Sequence, residues 1–116
     1  MINKQTFFEN IRPLLFTNLT QLQVDSINGL FDEIEAQNVT DLKHIAYVFA
    51  TAYHEAMNVK TGERIVPISE YGGEKYLKSK KYYPYYGRGF VQITWFDNYE
   101  RFTKILFSLF LLVSLI

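Results

Sequence analysis

The sequence contains no cysteine, which excludes disulfides, zinc–thiolate sites and thiol nucleophiles. It also lacks a net charge, because twelve basic residues balance twelve acidic ones. A neutral chain gives no electrostatic reason to expect nucleic acid as its main partner. The first 16 residues, MINKQTFFENIRPLLF, hold no uninterrupted apolar run behind a basic start, so we predict no secretory signal peptide.

What the chain does have is apolar periodicity. Its 116 residues fit one domain, and with 48% apolar and 17% aromatic residues a folded core is expected. A short helix is predicted over residues 3–16, interrupted or ended near Pro13. A capping box of Thr20 and Gln23 starts a second helix that stops by Asn38. The apolar stripe of this helix comprises Val24, Ile27, Phe31 and Ile34.

A third helix is predicted from an Asp41 cap to about Glu55, with one apolar stripe over four turns. Glycine and proline then punctuate residues 57–85, which we call the arm. The arm is predicted to be a loop with a small hairpin, its strand lying at 64–69 and its turn at 71–73. The third stripe comprises Leu42, Ile45, Phe49, Ala52 and Ala56.

Helical spacing returns after the arm. Thr94 is predicted to cap a helix, Asp97 favours its first turn, and Tyr99, Phe102 and Leu106 give it one face. The fold class is therefore predicted to be mainly α, with the arm inserted between two helices.

Glu55 is the first candidate for chemistry. It falls at the end of the third helix, roughly 110° from the centre of the apolar stripe by the 3.6-residue repeat, so we expect it at the edge of the core. Partial burial and the negative end of the helix dipole both raise the pKa of a carboxyl group. A carboxylic acid protonated near neutral pH suits general-acid cleavage of a glycosidic bond. The alternative is a solvated glutamate at a helix end.

A second carboxylate is available from the arm. Glu63, Glu70 and Glu74 all lie there, and an inverting glycosidase needs its second carboxylate about 6.5–9.5 Å from the first. Glu70 is expected to be the best held, because it follows Pro67 and precedes a glycine turn. The alternative is that all three are solvated loop charges.

Tyrosines crowd the arm and the segment YYGRGFVQIT that follows it. Aromatic rings pack on the C–H faces of sugars, and tyrosine hydroxyls bond sugar hydroxyls, although several of these tyrosines are expected to fill the core. Arg88, between two glycines, is predicted to pair with a carboxylate or to brace the fold. Gln92, Thr94 and Asn98 carry polar groups that suit the positioning of water or an acetamido group.

His54-Glu55-Ala56, followed by Tyr85 to Thr94 (YYGRGFVQIT) and Asn98-Tyr99, resembles glycoside hydrolase family 19, the plant-type chitinases and phage and bacterial lysins. The resemblance covers residues 40–104. It implies a lysozyme-like α+β fold, and inverting hydrolysis of β-1,4-linked N-acetylglucosamine polymers, chitin or peptidoglycan, without metal or organic cofactor.

The resemblance also implies roles for single residues. Glu55 is the expected general acid and Glu70 the general base, with Glu63 or Glu74 as alternatives. His54 and Arg88 are expected to support the carboxylates. The residues expected to bind substrate are Tyr86, Gln92, Thr94, Trp95 and Asn98.

Residues 105–116, ILFSLFLLVSLI, have a different character. Family members continue well past this point, so residues 1–104 are expected to form a partial catalytic domain. The apolar tail is interpreted as a shifted reading frame, as a segment that docks on the core, or as a membrane-associating end, although 12 residues are too few for a span of about 20.

We expect a monomer whose partner is a polysaccharide, held in the cytoplasm until release or acting on the cell wall after lysis; secretion is not supported. One alternative function is an inactive remnant or sugar-binding module, and another is a small membrane-active protein. The basic run Lys75–Lys81 suggests anionic polymers or, more simply, a solvated loop face.

Overall fold

The computed structural model describes residues 2–114, with side chains for residues 2–105. These residues form five α-helices and one two-stranded antiparallel sheet, which confirms the prediction of a mainly helical chain. They divide into two compact units, residues 1–66 and 67–116, called here the first and second unit. The predicted boundary at residue 104 falls inside the last helix.

The first unit contains three helices, α1 (Lys4–Leu15), α2 (Gln21–Ala36) and α3 (Leu42–Glu55). Helix α1 begins behind Asn3, whose side chain accepts a hydrogen bond from the Thr6 N–H. Pro13 lies inside its last turn, and the helix ends two residues later at Leu15, in agreement with the predicted end near Pro13.

The predicted caps of the next two helices are confirmed. Thr20 and Gln23 form a reciprocal capping box at the start of α2, and Asp41 accepts a hydrogen bond from Lys43 N–H at the start of α3. Helix α2 ends at Ala36, and Asn38 takes a positive φ of 53°, the left-handed conformation in which helices commonly terminate.

The core of the first unit is built from the predicted stripes of α2 and α3 together with Phe7 of α1, which no stripe included. Three phenylalanines, Phe7, Phe31 and Phe49, form its centre with ring centroids 4.8–5.0 Å apart. Leu42 departs from the prediction, since it is 68% exposed at the first turn of α3. The remaining buried members of the two stripes are Ile27, Ile34, Ile45, Ala52 and Ala56.

A tight turn follows α3 within the first unit. Met57 and Arg64 form an isolated antiparallel bridge, and Gly62 N–H donates to Asn58 O at 2.7 Å. Ile65 is 3% exposed and returns the chain to the core. The hairpin of the arm was predicted around a turn at 71–73, whereas this bridge closes a turn between residues 57 and 64.

The second unit contains β1 (Ile68–Ser69), α4 (Gly73–Lys78), β2 (Arg88–Gly89) and α5 (Phe96–Ser114). Strand β1 pairs with β2, with Ile68 opposite Gly89, so the strand predicted over 64–69 is reduced to two residues. Helix α4 was not predicted: its six residues are too few to show a period, and only Leu77 is buried. The predicted turn at 71–73 is its start.

Thr94 is not the cap of α5, contrary to the prediction. Its hydroxyl donates to Gln92 O at 2.8 Å, and Trp95, in a positive φ of 76°, separates it from the helix. Thr94 therefore lies one residue before the position that a capping side chain occupies. Asp97 lies in the first turn of α5 as predicted, whereas the predicted face at Leu106 lies outside the described side chains.

Candidate active site

Glu55 is the last residue of α3 and its side chain is 57% exposed. The side chain is therefore more exposed than the prediction of partial burial at the edge of the core implied. Its buried neighbours, Ala52 and Ala56, carry single methyl groups and give the carboxylate little cover. His54 is 82% exposed, with Nε2 lying 4.0 Å from Glu55 Oε1. An exposed pair like this is open to a ligand.

Arg64 holds the end of α3 on which Glu55 stands. Its Nη1 donates to Tyr53 O at 3.2 Å and to His54 O at 3.4 Å, and its guanidinium lies 5.2 Å from the centre of the Tyr53 ring. The last carbonyls of a helix lack partners and carry partial negative charge. The Arg64 cation supplies the missing donor and offsets that charge. Sequence reasoning missed this residue, although an arginine soon after a helix end was the available signal.

Glu70 is the best held of the three arm carboxylates, as predicted. Tyr82 OH donates to its Oε1 at 2.5 Å and Gly87 N–H donates to its Oε2 at 2.9 Å. The hydrogen bond to Glu70 raises the pKa of Tyr82 to about 12. Each carboxylate oxygen therefore accepts one strong hydrogen bond, which fixes the orientation of the group.

The two alternative carboxylates also have partners. Glu63 accepts a 2.7 Å hydrogen bond from Thr20 Oγ1, which is the main reason that the pKa of Glu63 lies below its usual value. Glu74 is exposed and lies 3.2 Å from both Lys78 Nζ and Tyr83 OH, contacts that lower its pKa. Of the three, only Glu70 belongs to the hydrogen-bond network of the YYGRG segment.

Gln92 braces the small sheet. Its Nε2 donates to Ile68 O at 2.9 Å and to Gly89 O at 3.2 Å, from a backbone with φ of 55°. A Cβ on Gly87 would lie 2.5 Å from its Oε1, so any larger residue there would have to displace the Gln92 amide. The amide N–H groups of Gln92 therefore satisfy two carbonyls of the sheet, and its substrate-binding role stays a prediction.

Thr94 and Asn98 meet at the start of α5. Asn98 Nδ2 donates to Thr94 O at 2.9 Å, and the Thr94 hydroxyl bonds Gln92 O. The amide nitrogen of Asn98 closes the first turn of the helix, and its side chain stays exposed. Both residues follow Gln92 closely in the sequence, so the hydrogen bonds of Gln92 to the sheet hold the segment that carries them.

Arg88 braces the second unit and, among the described residues, forms no ion pair with a carboxylate. Its Nη1 donates to Tyr99 OH at 2.7 Å, and that hydroxyl donates to Tyr86 O at 2.6 Å. Its guanidinium also lies 3.7 Å from the centre of the Tyr86 ring. Of the two predicted roles for Arg88, the structure therefore favours bracing, and Tyr99 is the partner that the sequence did not reveal.

The aromatic residues divide between packing and exposure, as expected. Tyr85 packs against Phe96 and Tyr99 with centroids 5.3 and 5.4 Å away. Trp95 is 51% exposed, and its ring contacts Tyr82 edge to face at 5.3 Å. Through Tyr82, this exposed ring adjoins Glu70.

The second unit thus brings together most of the predicted site, and the first unit holds His54 and Glu55. In the part of the chain that the structure describes, no group of three or more histidine, aspartate and glutamate side chains is placed to hold a metal ion. No described helix is both long enough and apolar enough to cross a membrane. The second-unit residues of the predicted site are Glu70, Tyr86, Arg88, Gln92, Thr94, Trp95 and Asn98.

No family model, curated protein or solved structure matches this chain. The likeness to glycoside hydrolase family 19 therefore rests on the residues themselves and stays a prediction.

Proposed function

We propose that the chain is a glycosidase of the family-19 type, with a lysozyme-like fold, that hydrolyses β-1,4-linked N-acetylglucosamine polymers with inversion. The observation that carries the proposal is the carboxylate of Glu70, fixed by Tyr82 OH and Gly87 N–H inside the YYGRG segment. An enzyme that activates water needs an oriented carboxylate with accepting oxygens. The polysaccharide is chitin or the glycan strand of peptidoglycan, which share this linkage.

In the proposed reaction, Glu55 gives its proton to the oxygen of the leaving sugar as the glycosidic bond breaks. Glu70 takes a proton from a water molecule, whose oxygen forms the new bond on the opposite face of the sugar ring. The exposed ring of Trp95 offers a surface for sugar C–H groups. Asn98 and Thr94 lie on the same stretch of chain, and Gln92 and Arg88 keep that stretch in place.

The decisive experiment compares purified wild-type protein with Glu55→Gln on chitin oligomers and on peptidoglycan, with products separated by chromatography. Loss of a general acid is expected to slow hydrolysis about 10²–10⁴-fold. Glu35→Gln is the matched control, since Glu35 also lies in the last turn of a helix and its loss should leave the rate unchanged. Undiminished hydrolysis by Glu55→Gln would exclude Glu55 as the acid.

Glu70→Gln and Glu74→Gln separate the two arm carboxylates in the same assay. Both side chains bond a tyrosine, but only Glu70 is assigned a role, so only its variant should lose activity. The anomer released first, read by proton NMR, tests the stereochemistry: β-linked substrate should give the α product. A β product would exclude inversion.

A second candidate function is sugar binding without catalysis. It is favoured by the 57% exposure of Glu55, because an acid in open solvent lacks the burial that tunes a catalytic carboxyl group. Retention of the protein on chitin with no product, even after long incubation, would support this candidate over the enzyme.

A further inference from the structure

A polar cavity of about 430 Å³ opens in the first unit, and none of the roles above involves it. One wall is the N-terminus of α2 with the chain before it, and the other is the tight turn after α3. Its volume lies in the range of small-molecule sites, about 300–1,000 Å³. The residues that decide its chemistry are Phe16, Thr17, Asn18, Tyr53, Glu63 and Arg64.

The walls of the cavity are held by hydrogen bonds across the two segments. Thr20 Oγ1 donates to Glu63 Oε2 at 2.7 Å, and Gln23 Nε2 donates to Arg64 O at 3.1 Å. Gln23 is 4% exposed, so the second bond lies at the base of the cavity. These bonds join positions more than forty residues apart, and the cavity is therefore formed before a ligand arrives.

The charges in the cavity favour a neutral ligand. Glu63 and Arg64 are adjacent and of opposite sign, and each already has partners: Glu63 accepts from Thr20, and Arg64 donates to the carbonyls of α3. A charged ligand would be attracted by one of them and repelled by the other. Thr17 and Asn18 add a hydroxyl and an amide at the rim.

One side of the cavity is apolar. Phe16 and Tyr53 contact each other edge to face, with ring centroids 5.8 Å apart. Together with Leu15 they add a C–H and ring surface to a lining that is otherwise mainly polar. A site that is ring-lined on one side and rich in hydroxyl, amide and carboxylate groups on the other matches a pyranose, which is apolar on its C–H face and polar at its rim.

The cavity adjoins the end of α3 that carries Glu55. Arg64 lines it and also bonds the carbonyls of Tyr53 and His54, the two residues before Glu55. From this juxtaposition we infer that the cavity is a sugar-binding subsite that takes a neutral N-acetylhexosamine unit beside Glu55. The inference rests on the proposed function for its substrate class, but binding there does not require catalysis.

The test is a titration of the ¹⁵N-labelled full chain with chitobiose, followed by two-dimensional NMR. The amide signals of Thr20, Thr61, Glu63 and Arg64 should shift together and saturate, in the wild type and in Glu55→Gln alike. Loss of activity in Glu55→Gln with retained shifts supports the subsite whatever becomes of the enzyme proposal. Absence of saturable shifts in this group overturns the subsite.

Matched variants assign the binding to the cavity. Asn18→Ala and Thr17→Val should each weaken chitobiose binding about fivefold, as expected for one hydrogen bond. Thr40→Val is the control, because Thr40 lines a different cavity of the same unit and its loss should leave the affinity unchanged. Each variant is first checked for wild-type signal dispersion, and either of the two cavity variants suffices.

A parallel titration with a peptide distinguishes binding of a sugar from binding of the peptide component of cell walls. A neutral dipeptide amide such as alanyl-alanine amide should cause no saturable shift at the cavity. Equal affinities for chitobiose in the cavity and control variants, or preferential binding of the dipeptide, would overturn the assignment.

Discussion

The two units of the molecule are built on different principles. The first unit is three helices around an apolar core with Phe7, Phe31 and Phe49 at its centre, each helix started by a side-chain cap. The second is organised by hydrogen bonds from Tyr82, Arg88, Gln92 and Tyr99, around two strands of two residues each. The contrast teaches that periodic packing supports the first unit, whereas in the second unit a network of side chains holds most of the predicted site residues.

The largest expected effect is in the apolar core of the first unit. Phe31 is 2% exposed, and Phe31→Ala should lower the free energy of unfolding by about 3–5 kcal/mol through lost burial and a cavity. Denaturant melts followed by circular dichroism measure the loss. Phe102→Ala, at a ring that is 44% exposed, should change stability by no more than about 0.5 kcal/mol; equal losses would erase the contrast.

A methyl group tests the network of the second unit. Gly87→Ala places a Cβ 2.5 Å from Gln92 Oε1 and should destabilise by about 1–3 kcal/mol through overpacking. The matched control is Gly29→Ala in α2, where nothing lies within 4 Å of the new methyl. That variant should stabilise by about 0.5–1 kcal/mol. A neutral Gly87→Ala would mean that Gln92 moves freely and does not brace the sheet.

Thr20 in the first unit and Thr94 in the second were both predicted to cap a helix, and replacing each by alanine tests the difference between the two units. Thr20→Ala removes a helix cap and should lower stability by about 0.5–2 kcal/mol. Thr94→Ala removes a hydroxyl that bonds Gln92 O and caps nothing, so its loss of stability should be smaller. Thermal melts at one pH compare the pair, and a larger loss at Thr94 contradicts the structure of the α5 start.

The smallest effect is a titration. Tyr82 should ionise at a pKa of about 12 because its hydroxyl donates to Glu70, and Glu70→Gln should return that pKa towards its ordinary value of 10.0. Since the folded pKa is the higher one, the stabilising contribution is complete below the unfolded pKa and is lost as the pH rises through about 12. Tyrosinate absorbance measures it.

A control titration uses Glu74→Gln, which removes the partner of Tyr83 and should leave the pKa of Tyr82 unchanged. A shift of similar size in both variants would show that the carboxylates act through long-range charge and not through the hydrogen bond.

The helices of the first unit were predictable because their information is local. The two residues of the capping box, Thr20 and Gln23, are only three positions apart, and the apolar stripes of α2 and α3 repeat over several turns. The burial of Glu55 was overestimated, because a helical wheel gives the direction of a side chain but not the size of the neighbours that cover it. Ala52 and Ala56 are too small to do so.

The second unit was predictable only as a motif. The pairing of Ile68 with Gly89 brings Glu70 to Gly87 and Tyr82, and no period in the sequence encodes a contact between residues so far apart. The cap assigned to Thr94 was wrong because α5 begins only at Phe96, which leaves Trp95 between Thr94 and the helix. The motif nevertheless contains Gly87, Arg88, Gln92 and Tyr99 of this network, although Tyr82 lies outside it.

The Tyr99 hydroxyl also has a geometric consequence. From Tyr99 to Ser114, helix α5 extends about 22 Å at 1.5 Å per residue. A helix of this length is a stiff rod, so a tilt of about 5° at its first turn displaces its far end by about 2 Å. The hydroxyl, between Arg88 Nη1 and Tyr86 O, sits in that first turn. The hydrogen bonds of this one phenol oxygen therefore fix the direction in which α5 extends from the sheet.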